Sequence, residues 1–487
     1  MRKVDRWSRG MTSLAGTGLS EVAGALSAAL GEDAVHTDAA RLDGYTADTY
    51  WPAIAAVAAG EPLGRPDVVV VPRDDAGVVA ALRIAAAHQM PVVPWGGGSG
   101  TQGGAVPVRG GLVIDLRGLD RIIEIDERSM TVTAEAGVNG RVLERALNER
   151  GLMLPHYPAS AEWATVGGYV AARGSGVLST RYGKIEDLVV ALRVAMPTGE
   201  LCDTVCVPRH AVGPDLTQLF VGSEGTLGII TRATFSVVPI PGERRFSTLR
   251  FPDVDSGIEA FRTALAAGHR PSVIRMYDEE ATQRTLSPVV GRQLDGVCAV
   301  VACEGEPEAV AVETSRVLAL ARAQGARELE PELARIWWER RYDFYAPPHH
   351  PELPSIWGTI DVVATYARIG AVHEALRHAV AERYAHTGLR LRIHFSHWYA
   401  WGTMIYARFL IPEGAPGEDA LALHDRIWDD AVTAVLAAGG VINDHHGVGL
   451  KLGRYMEAQH GAAFDTLRRV KSAIDPLGIM NPGKLGL

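Results

Sequence analysis

The sequence predicts an α+β protein of two domains, and three observations lead to this prediction. A chain of 487 residues with 47% hydrophobic and 22% charged residues can bury more than one core. Residues 66–137 show a strand–helix–strand pattern followed by short strand-like runs, and residues 241–440 mix strand and helix patterns differently. We therefore expect an N-terminal helical region (1–60), a first domain (61–240), an α+β cap (241–440) and a C-terminal segment (441–487) that returns to the first domain.

Composition excludes several classes of protein. The formal net charge of -9 leaves no basic surface for nucleic acid. The four cysteines form no CxxC pair, which predicts free thiols in a reducing compartment and no structural zinc. No apolar run is long enough to cross a bilayer, and no apolar stretch follows the basic N-terminus. We expect a cytoplasmic protein without an integral membrane segment.

The first domain begins with a βαβ unit. The run PDVVVVPRD (66–74) predicts a strand, AGVVAALRIAAAHQM (76–90) a helix, and PVVPW (91–95) a second strand. A glycine-rich loop, GGGSGTQGG (96–104), follows. Residues 110–137 then alternate apolar runs with turn residues, so this loop joins two strands and does not open a nicotinamide-binding Rossmann helix.

The glycine-rich loop predicts an anion site. Successive N–H groups without a neighbouring Cβ can point the same way and bind a pyrophosphate, although glycine runs also occur as plain linkers. Two further small-residue segments, 157–176 and 220–239, lie beside strand-like runs. Their glycines let the backbone approach a flat ring, and Ser160, Thr165 and Ser175 can hydrogen-bond to its polar edge. Three such segments favour one elongated ligand over linkers.

These segments resemble a known family. The motifs PWGGGSGTQGG, PASAEWATVGG, RYGKIEDLV and GSEGTLGIIT, between about residues 60 and 240, are similar to the FAD-binding domain of the vanillyl-alcohol oxidase superfamily, also called the PCMH-type fold. The resemblance implies a domain of two α/β subdomains that binds FAD, with the pyrophosphate on residues 96–101. Covalent members commonly carry a histidine in this loop, so GGGSG predicts noncovalent FAD.

The resemblance also implies which residues contact the cofactor. They come from the four motifs and their immediate neighbours: Trp95, Gly96, Gly97, Gly98, Ser99, Gly100, Thr101, Pro158, Ser160, Thr165, Gly167, Gly168, Gly174, Ser175, Tyr182, Glu224, Gly225, Gly228, Ile229 and Ile230.

The C-terminal part carries candidates for proton transfer. His445 and His446 lie between an apolar run and a glycine turn, and imidazole titrates near neutral pH. In an extended segment one would face a cavity while the other packs, and the alternative is a structural histidine pair. His394 and His397 lack a third ligand nearby, so we expect no metal.

Other polar residues fit a pocket. Tyr406, Tyr399 and Arg408 lie in one segment and offer a flavin pocket a phenolic acid or base, or a contact for an anion. Arg275 interrupts a buried-looking strand, where it either binds an acidic substrate or pairs with a carboxylate. Residues 334–350 gather several aromatic and basic side chains that suggest a pocket wall or a core cluster: Trp337, Trp338, Arg340, Arg341 and Tyr345.

The cap resembles one branch of the superfamily. The segments SVIRMYD, SHWYAWGTMIYARF, GGVINDHHGVG and PRHAVGPDL are similar to the alkyldihydroxyacetonephosphate synthase branch. The resemblance implies catalytic roles for Tyr406, His445, His446 and Arg275, and a homodimer. The chain departs from the branch at Asp444, where the branch has a third histidine, and at APPHHPELP (346–354).

The predicted function is an FAD-dependent oxidoreductase that takes a hydride from a small organic substrate to flavin N5, with histidine or tyrosine as acid or base. The alternatives are the flavin-dependent alkyl transfer of ether-lipid synthesis, a D-2-hydroxy acid dehydrogenase, and a protein of the same fold that only binds. The two departures weaken the transferase, the missing HAGDGNxH pattern disfavours metal-dependent hydroxy-acid oxidation, and the intact glycine loop argues against binding alone.

Overall fold

The computed structural model describes residues 17–343, 352–415 and 417–487. Its strands, numbered in chain order, are β1 (Val35–His36), β2 (Val68–Val70), β3 (Val92–Trp95), β4 (Leu112–Asp115), β5 (Ile122–Asp126), β6 (Thr131–Glu135), β7 (Leu152–Met153), β8 (Val189–Ala195), β9 (Leu201–Asp203), β10 (Ile229–Ser236), β11 (Val238–Pro239), β12 (Glu243–Phe251), β13 (Val273–Tyr277), β14 (Val297–Gly305), β15 (Arg327–Leu329), β16 (Ile356–Thr365), β17 (Arg390–Tyr399) and β18 (Gly402–Ile411).

The α-helices are α1 (Thr17–Leu30), α2 (Ala39–Asp43), α3 (Trp51–Ala58), α4 (Asp75–Ala87), α5 (Gly140–Asn148), α6 (Val166–Ala171), α7 (Ser179–Tyr182), α8 (Ile185–Leu188), α9 (Leu216–Phe220), α10 (Val254–Ala266), α11 (Glu279–Ala281), α12 (Ser287–Val290), α13 (Pro307–Ala323), α14 (Pro331–Arg340), α15 (Tyr366–Leu376), α16 (Ala420–Ala437), α17 (Met456–His460) and α18 (Ala463–Ile474). A π-helical turn, Thr282–Leu286, joins α11 to α12.

The first domain contains two main sheets. The βαβ prediction is confirmed: β2, α4 and β3 follow one another, and β2 and β3 both run parallel to β4, which lies between them in the order β1-β2-β4-β3. The second sheet is antiparallel, in the order β5-β6-β10-β8-β9. As predicted, the glycine-rich loop joins two strands, β3 and β4.

The cap is built on a seven-stranded antiparallel sheet in the order β15-β12-β14-β13-β17-β18-β16. The cap begins with β12 followed by α10, and it ends with the long helix α16, in agreement with the mixed strand and helix patterns of residues 241–440. One face of the sheet packs against helices through alternate apolar residues such as Ile393, Phe395 and Phe409. The opposite face therefore presents the intervening positions of β13, β17 and β18.

The register aligns polar residues on that opposite face. Tyr277 of β13 lies opposite His394 of β17, His394 lies opposite Tyr406 of β18, and Tyr406 lies opposite Asp361 of β16. Directly opposed residues share one face of a sheet. Four side chains from distant parts of the sequence thus form one row across the cap.

The C-terminal segment packs on the first domain. Met480 bridges to Val92 of β3, and the N–H groups of Leu450 and Lys451 donate to the backbone oxygen of Gln102. All four cysteines are free thiols. In the described ranges, no helix combines the length and apolar character that a membrane crossing requires.

Candidate functional site

A cavity of about 850 Å³ lies between the first domain and the cap sheet. Two surfaces enclose it. The glycine wall consists of residues 96–104, 158–176 and 224–230, and the cap wall consists of the cavity-lining side chains of β13, β17, β18, α14 and residues 445–446.

The glycine wall offers free backbone donors. Within the part of the chain that is described, the N–H groups of residues 97–101 donate no hydrogen bond. Gly98 has φ 62°, which favours glycine, and a Cβ there would lie 2.6 Å from Cζ2 of Trp95. The buried Thr101 Oγ1 and Gln102 Oε1 also have no hydrogen-bond partner. Because free N–H groups in a glycine loop form an anion site, this wall fits a pyrophosphate.

Most of the predicted cofactor residues line the cavity. They are Gly96, Gly97, Gly98, Ser99, Gly100, Thr101, Pro158, Ser160, Thr165, Gly167, Gly168, Gly174, Ser175, Glu224, Gly225, Gly228, Ile229 and Ile230.

Two predicted cofactor residues lie outside the cavity wall. Trp95 is buried beneath the loop, where its ring packs against Gly98. The hydroxyl of Tyr182 donates to Oε1 of Glu304 at 2.8 Å, which directs the side chain into the cap. Trp95 thus supports the loop from below, and Tyr182 joins the two domains.

Glu224 ties the glycine wall to the C-terminal segment. Its carboxylate accepts from the N–H of Val448 and, at 2.8 Å, from the N–H of Gly449. Its backbone oxygen accepts from Nδ2 of Asn481 at 2.6 Å. Burial raises the pKa of Glu224 to about 7. The cavity therefore depends on contacts with a segment more than two hundred residues further along the chain.

On the cap side, Asp444 is buried at the centre of a hydrogen-bond cluster. Its Oδ2 accepts from Nδ1 of His397 at 3.2 Å and of His445 at 3.0 Å, and its Oδ1 accepts from the Tyr399 hydroxyl at 3.0 Å. Burial opposes ionisation, but Lys184 and the two histidines hold the pKa of Asp444 well below its usual range. Because an ionised carboxylate only accepts, Nδ1 of each imidazole carries the hydrogen.

Asp361 orients the other histidine. Its Oδ1 accepts from Nδ1 of His446 at 2.8 Å, and its Oδ2 accepts from the backbone N–H groups of His445 and His446 at 2.9 and 3.2 Å. Burial opposes ionisation, but the two histidines keep the pKa of Asp361 below its usual value. Nε2 of His446 is then the nitrogen without a hydrogen, on a side chain that lines the cavity.

Tyr406 lies beside these histidines. Its ring stacks on His394 with centroids 4.6 Å apart, and it meets the ring of His446 at 5.4 Å. Burial raises the pKa of Tyr406, so its hydroxyl is protonated at neutral pH. Burial and then His446 lower the pKa of His445 to about 4, so that ring is neutral. The site thus combines several imidazoles, a phenol and two ionised carboxylates.

The histidine pair differs from the prediction in one respect. Both His445 and His446 line the cavity, whereas an extended segment would turn one of them away. Residues 443–447 form a bend instead of a strand. The bend lets neighbouring side chains face the same side.

His394 and His397 both line the cavity as well. His394 and His397 are three residues apart, so in a regular strand they would lie on opposite faces. The pairing of β17 with β18 is irregular between Phe395 and Trp398, and this irregularity brings both histidines to the same face. Their contacts are separate: His394 stacks on Tyr406, whereas His397 bonds to Asp444.

Two sets of side chains have ligand atoms close enough together to hold a metal ion. One set is Asp361, His445 and His446, and the other is His397, Asp444 and His445; within each set the ligand atoms lie within 4.8 Å of one another. The same histidine nitrogens already donate to the two carboxylates. That no metal binds stays a prediction.

Arg275 and the aromatic segment contribute to the cap wall. The guanidinium of Arg275 lies 5.6 Å from the centre of the Trp337 ring. Among the residues that the structure describes, Arg275 pairs with no carboxylate. Arg341 lies over Trp338 at 3.7 Å. Trp337 and Arg341 line the cavity, and Trp337 also packs in an apolar core cluster, so both alternatives hold for this segment.

The rest of that segment lies elsewhere. Arg340 pairs with Asp343 on the surface, and Tyr345 is outside the described residues.

Sequence reasoning missed several residues of the site. The sequence around two of them could have identified them as site residues. Asp361 is the single acid in an apolar strand pattern, and His156 directly precedes the small-residue segment 157–176. Both ring nitrogens of His156 are buried without a partner, and burial lowers its pKa to about 3. Lys184 lies within the RYGKIEDLV motif, but that motif does not indicate its long-range contact with Asp444.

The fold and this cavity are those of an FAD-dependent oxidoreductase. The sequence matches the FAD binding domain over residues 66–204 and the C-terminal domain of FAD linked oxidases over residues 240–485. The chain therefore belongs to the FAD-linked oxidase family, and its cofactor is FAD.

Individual relatives agree with this family. Alkyldihydroxyacetonephosphate synthase of Trypanosoma brucei brucei is 30% identical over 453 residues, covering 86% of this chain and 73% of that protein. The uncharacterized FAD-linked oxidoreductase YgcU of Escherichia coli strain K12 is 30% identical over 422 residues, covering 84% and 86%. The structure of p-cresol methylhydroxylase superposes with a TM-score of 0.78 at 18% identity over 98% of both chains. The predicted PCMH-type fold is confirmed.

Proposed function

We propose that the protein oxidises a small organic substrate at a carbon that bears a hydroxyl or amino group. The observation that carries the proposal is the hydrogen bond of 2.8 Å between Nδ1 of His446 and the ionised Asp361 on the cavity wall. When bound, FAD supplies the hydride acceptor at N5.

The side chains divide the proton chemistry among them. His446 takes the proton of the substrate hydroxyl or amine at Nε2, and Asp361 stabilises the imidazolium that forms. Tyr406 donates a hydrogen bond to the same substrate atom. His445 stays neutral, because burial lowers its pKa to about 4, and Asp444 fixes its orientation. Arg275 contacts the substrate as a cation.

The glycine wall holds the cofactor in this proposal. The free N–H groups of residues 97–101 bind the pyrophosphate, while Ser160, Thr165 and Ser175 hydrogen-bond to the polar groups of the cofactor. The loop GGGSG has no histidine, so the FAD is held noncovalently. Acid precipitation should therefore release the yellow colour into the supernatant.

The test is the visible spectrum of the purified protein without oxygen, during addition of 2-hydroxy acids, alcohols and phenols in turn. Bleaching of the flavin band by one of these, with recovery on adding an acceptor, supports the proposal and names the substrate class. Bleaching should persist after treatment with a chelator, since no step uses a metal. A flavin band that none of these compounds changes contradicts the proposal.

Alkyl transfer is a second candidate, because a relative named alkyldihydroxyacetonephosphate synthase is 30% identical to this chain. Asp444 stands where the resemblance leads us to expect a third histidine, so we rank this function below oxidation. An acyl-dihydroxyacetone phosphate that releases a fatty acid on the protein, without net reduction of an acceptor, would reverse this ranking.

A further inference from the structure

The cap wall has a second row of side chains beyond Tyr406. Arg392 of β17 lies opposite Arg408 of β18, two residues along each strand from the pair of His394 and Tyr406. The side chains therefore share the face that lines the cavity, and both arginines line it. The row of arginines lies about 7 Å along the strands from the row that contains Tyr406.

These two arginines face each other without a carboxylate between them. Neither forms an ion pair in the part of the chain described, and Nε of Arg408 is buried without a hydrogen-bond partner. Glu280 lies near, but it pairs with Arg284, which is a third cation on the cavity wall. Glu352 also lines the cavity and is exposed.

Such an arrangement is unfavourable without a ligand. Like charges directly opposite each other in a sheet are destabilising, and a buried guanidinium nitrogen without a partner adds to that cost. Burial and then Arg408 and Arg284 lower the pKa of Arg392 to about 10, so the Arg392 side chain stays charged at neutral pH. The alternate positions of the same strands, Ile393 and Ala407, show no such conflict, because they pack in the apolar core.

We propose that Arg392 and Arg408 bind an anionic group of the substrate, a phosphate or a carboxylate, at a subsite one row away from Tyr406. Two guanidinium groups on adjacent strands offer several N–H donors to the oxygens of either group. The proposal rests on the proposed function only in treating the occupant as part of the substrate. It restricts that substrate to molecules that carry an anionic group apart from the reacting carbon.

The test is the thermal midpoint of the FAD-bound protein in inorganic phosphate, in acetate and in sodium chloride at equal ionic strength. Phosphate or acetate should raise the midpoint above that in chloride, because a ligand that binds the folded state stabilises it. The stronger of the two identifies the chemistry of the group. Equal midpoints in all three salts would overturn the proposal.

The variants are Arg392→Gln and Arg408→Gln, with Arg390→Gln as the matched control. Arg390 is in the same strand and exposed, and it is not part of the cavity wall. Each of the first two changes should weaken anion binding by roughly 10- to 100-fold, whereas the control should leave it unchanged.

A purely structural role predicts the opposite stability effect. Without added anion, Arg392→Gln should raise the thermal midpoint, since it removes a like-charge pair. A lower midpoint together with unchanged anion binding would show that the arginines serve the fold alone. Arg392→Lys should keep part of the binding, because lysine retains the charge but loses the planar fork.

The two proposals can fail separately. If alcohols bleach the flavin and no anion shifts the midpoint, the oxidoreductase stands and the subsite is wrong. If anions bind through Arg392 and Arg408 but no substrate reduces the flavin, the subsite stands and the proposed oxidation is wrong.

Discussion

The two walls of the cavity recognise ligands by different means. The glycine wall presents backbone N–H groups from one stretch of loop, with a conformation at Gly98 that a side chain would disturb. The cap wall presents imidazole, phenol and guanidinium groups from three strands and a bend. Substitutions in the cap can therefore change the chemistry without changing the backbone, whereas substitutions in the glycine wall change the backbone itself.

The largest effect expected from this difference is loss of the cofactor. In Gly98→Ala the new Cβ would meet the Trp95 ring at 2.6 Å, at a φ of 62° that alanine disfavours. We expect the purified variant to contain almost no flavin, measured as the ratio of visible to ultraviolet absorbance.

Gly151→Ala is the control, because Gly151 has a φ of 71° and open space around its Cβ position. This variant should stay as yellow as the parent. If the Gly98→Ala variant were fully yellow, the loop would not bind the cofactor, and the proposed difference between the glycine wall and the cap wall would be wrong.

The second effect should appear in the rate of flavin reduction and leave flavin content unchanged. His446→Ala removes the proton acceptor and should slow reduction by substrate roughly 10²- to 10⁴-fold. Asp361→Asn should slow it as well, since an amide can donate to Nδ1 and favour the wrong tautomer. Stopped-flow absorbance without oxygen measures both.

His378→Ala is the control for these variants, because His378 is exposed on the outer surface. Reduction at the parent's rate in His446→Ala would exclude this residue from the mechanism. A loss of flavin in the same variant would instead show that the two walls are not independent.

The smallest effect concerns pH. Burial lowers the pKa of His445 to about 4, against 6.5 for the ordinary group. Between these values the unfolded state binds more protons, so the free energy of unfolding should fall as pH decreases from 6.5 to 4, by up to about 3 kcal/mol. Above pH 6.5 the neutral His445 makes its full contribution to the free energy of unfolding.

The measurement is the thermal midpoint between pH 7 and pH 5, compared with His445→Gln. The variant should show a shallower fall. An identical slope would mean that other groups set the acid sensitivity of the cap.

The sequence predicted the glycine wall more completely than the cap wall, and the reason is local spacing. The loop, the YPAS segment and the GSEGTLG segment each carry their glycines within a few residues, so their shared role can be inferred before folding. Trp95 and Tyr182 fall within these motifs, but a motif does not specify which side chain turns away from the cavity.

The cap wall depends on strand register. Asp361 lies more than eighty residues before His446, and only the pairing of β16 with β18 places it beside Tyr406. The same holds for the pair of Arg392 and Arg408: Arg408 is a pocket candidate from its segment alone, but only the pairing of β17 with β18 places Arg392 opposite it. The bend at residues 443–447 was also beyond prediction from an apolar run and a glycine.

The contact of Glu224 with Val448 and Gly449 has a consequence for biosynthesis. The ribosome makes the glycine wall long before residues 448–481, and the wall is held by those residues through Glu224 and Asn481. During that interval the nascent chain has the FAD-binding motifs but lacks the segment that packs against them. We therefore expect FAD to bind only after residues 448–481 have been synthesised and have packed against the glycine wall.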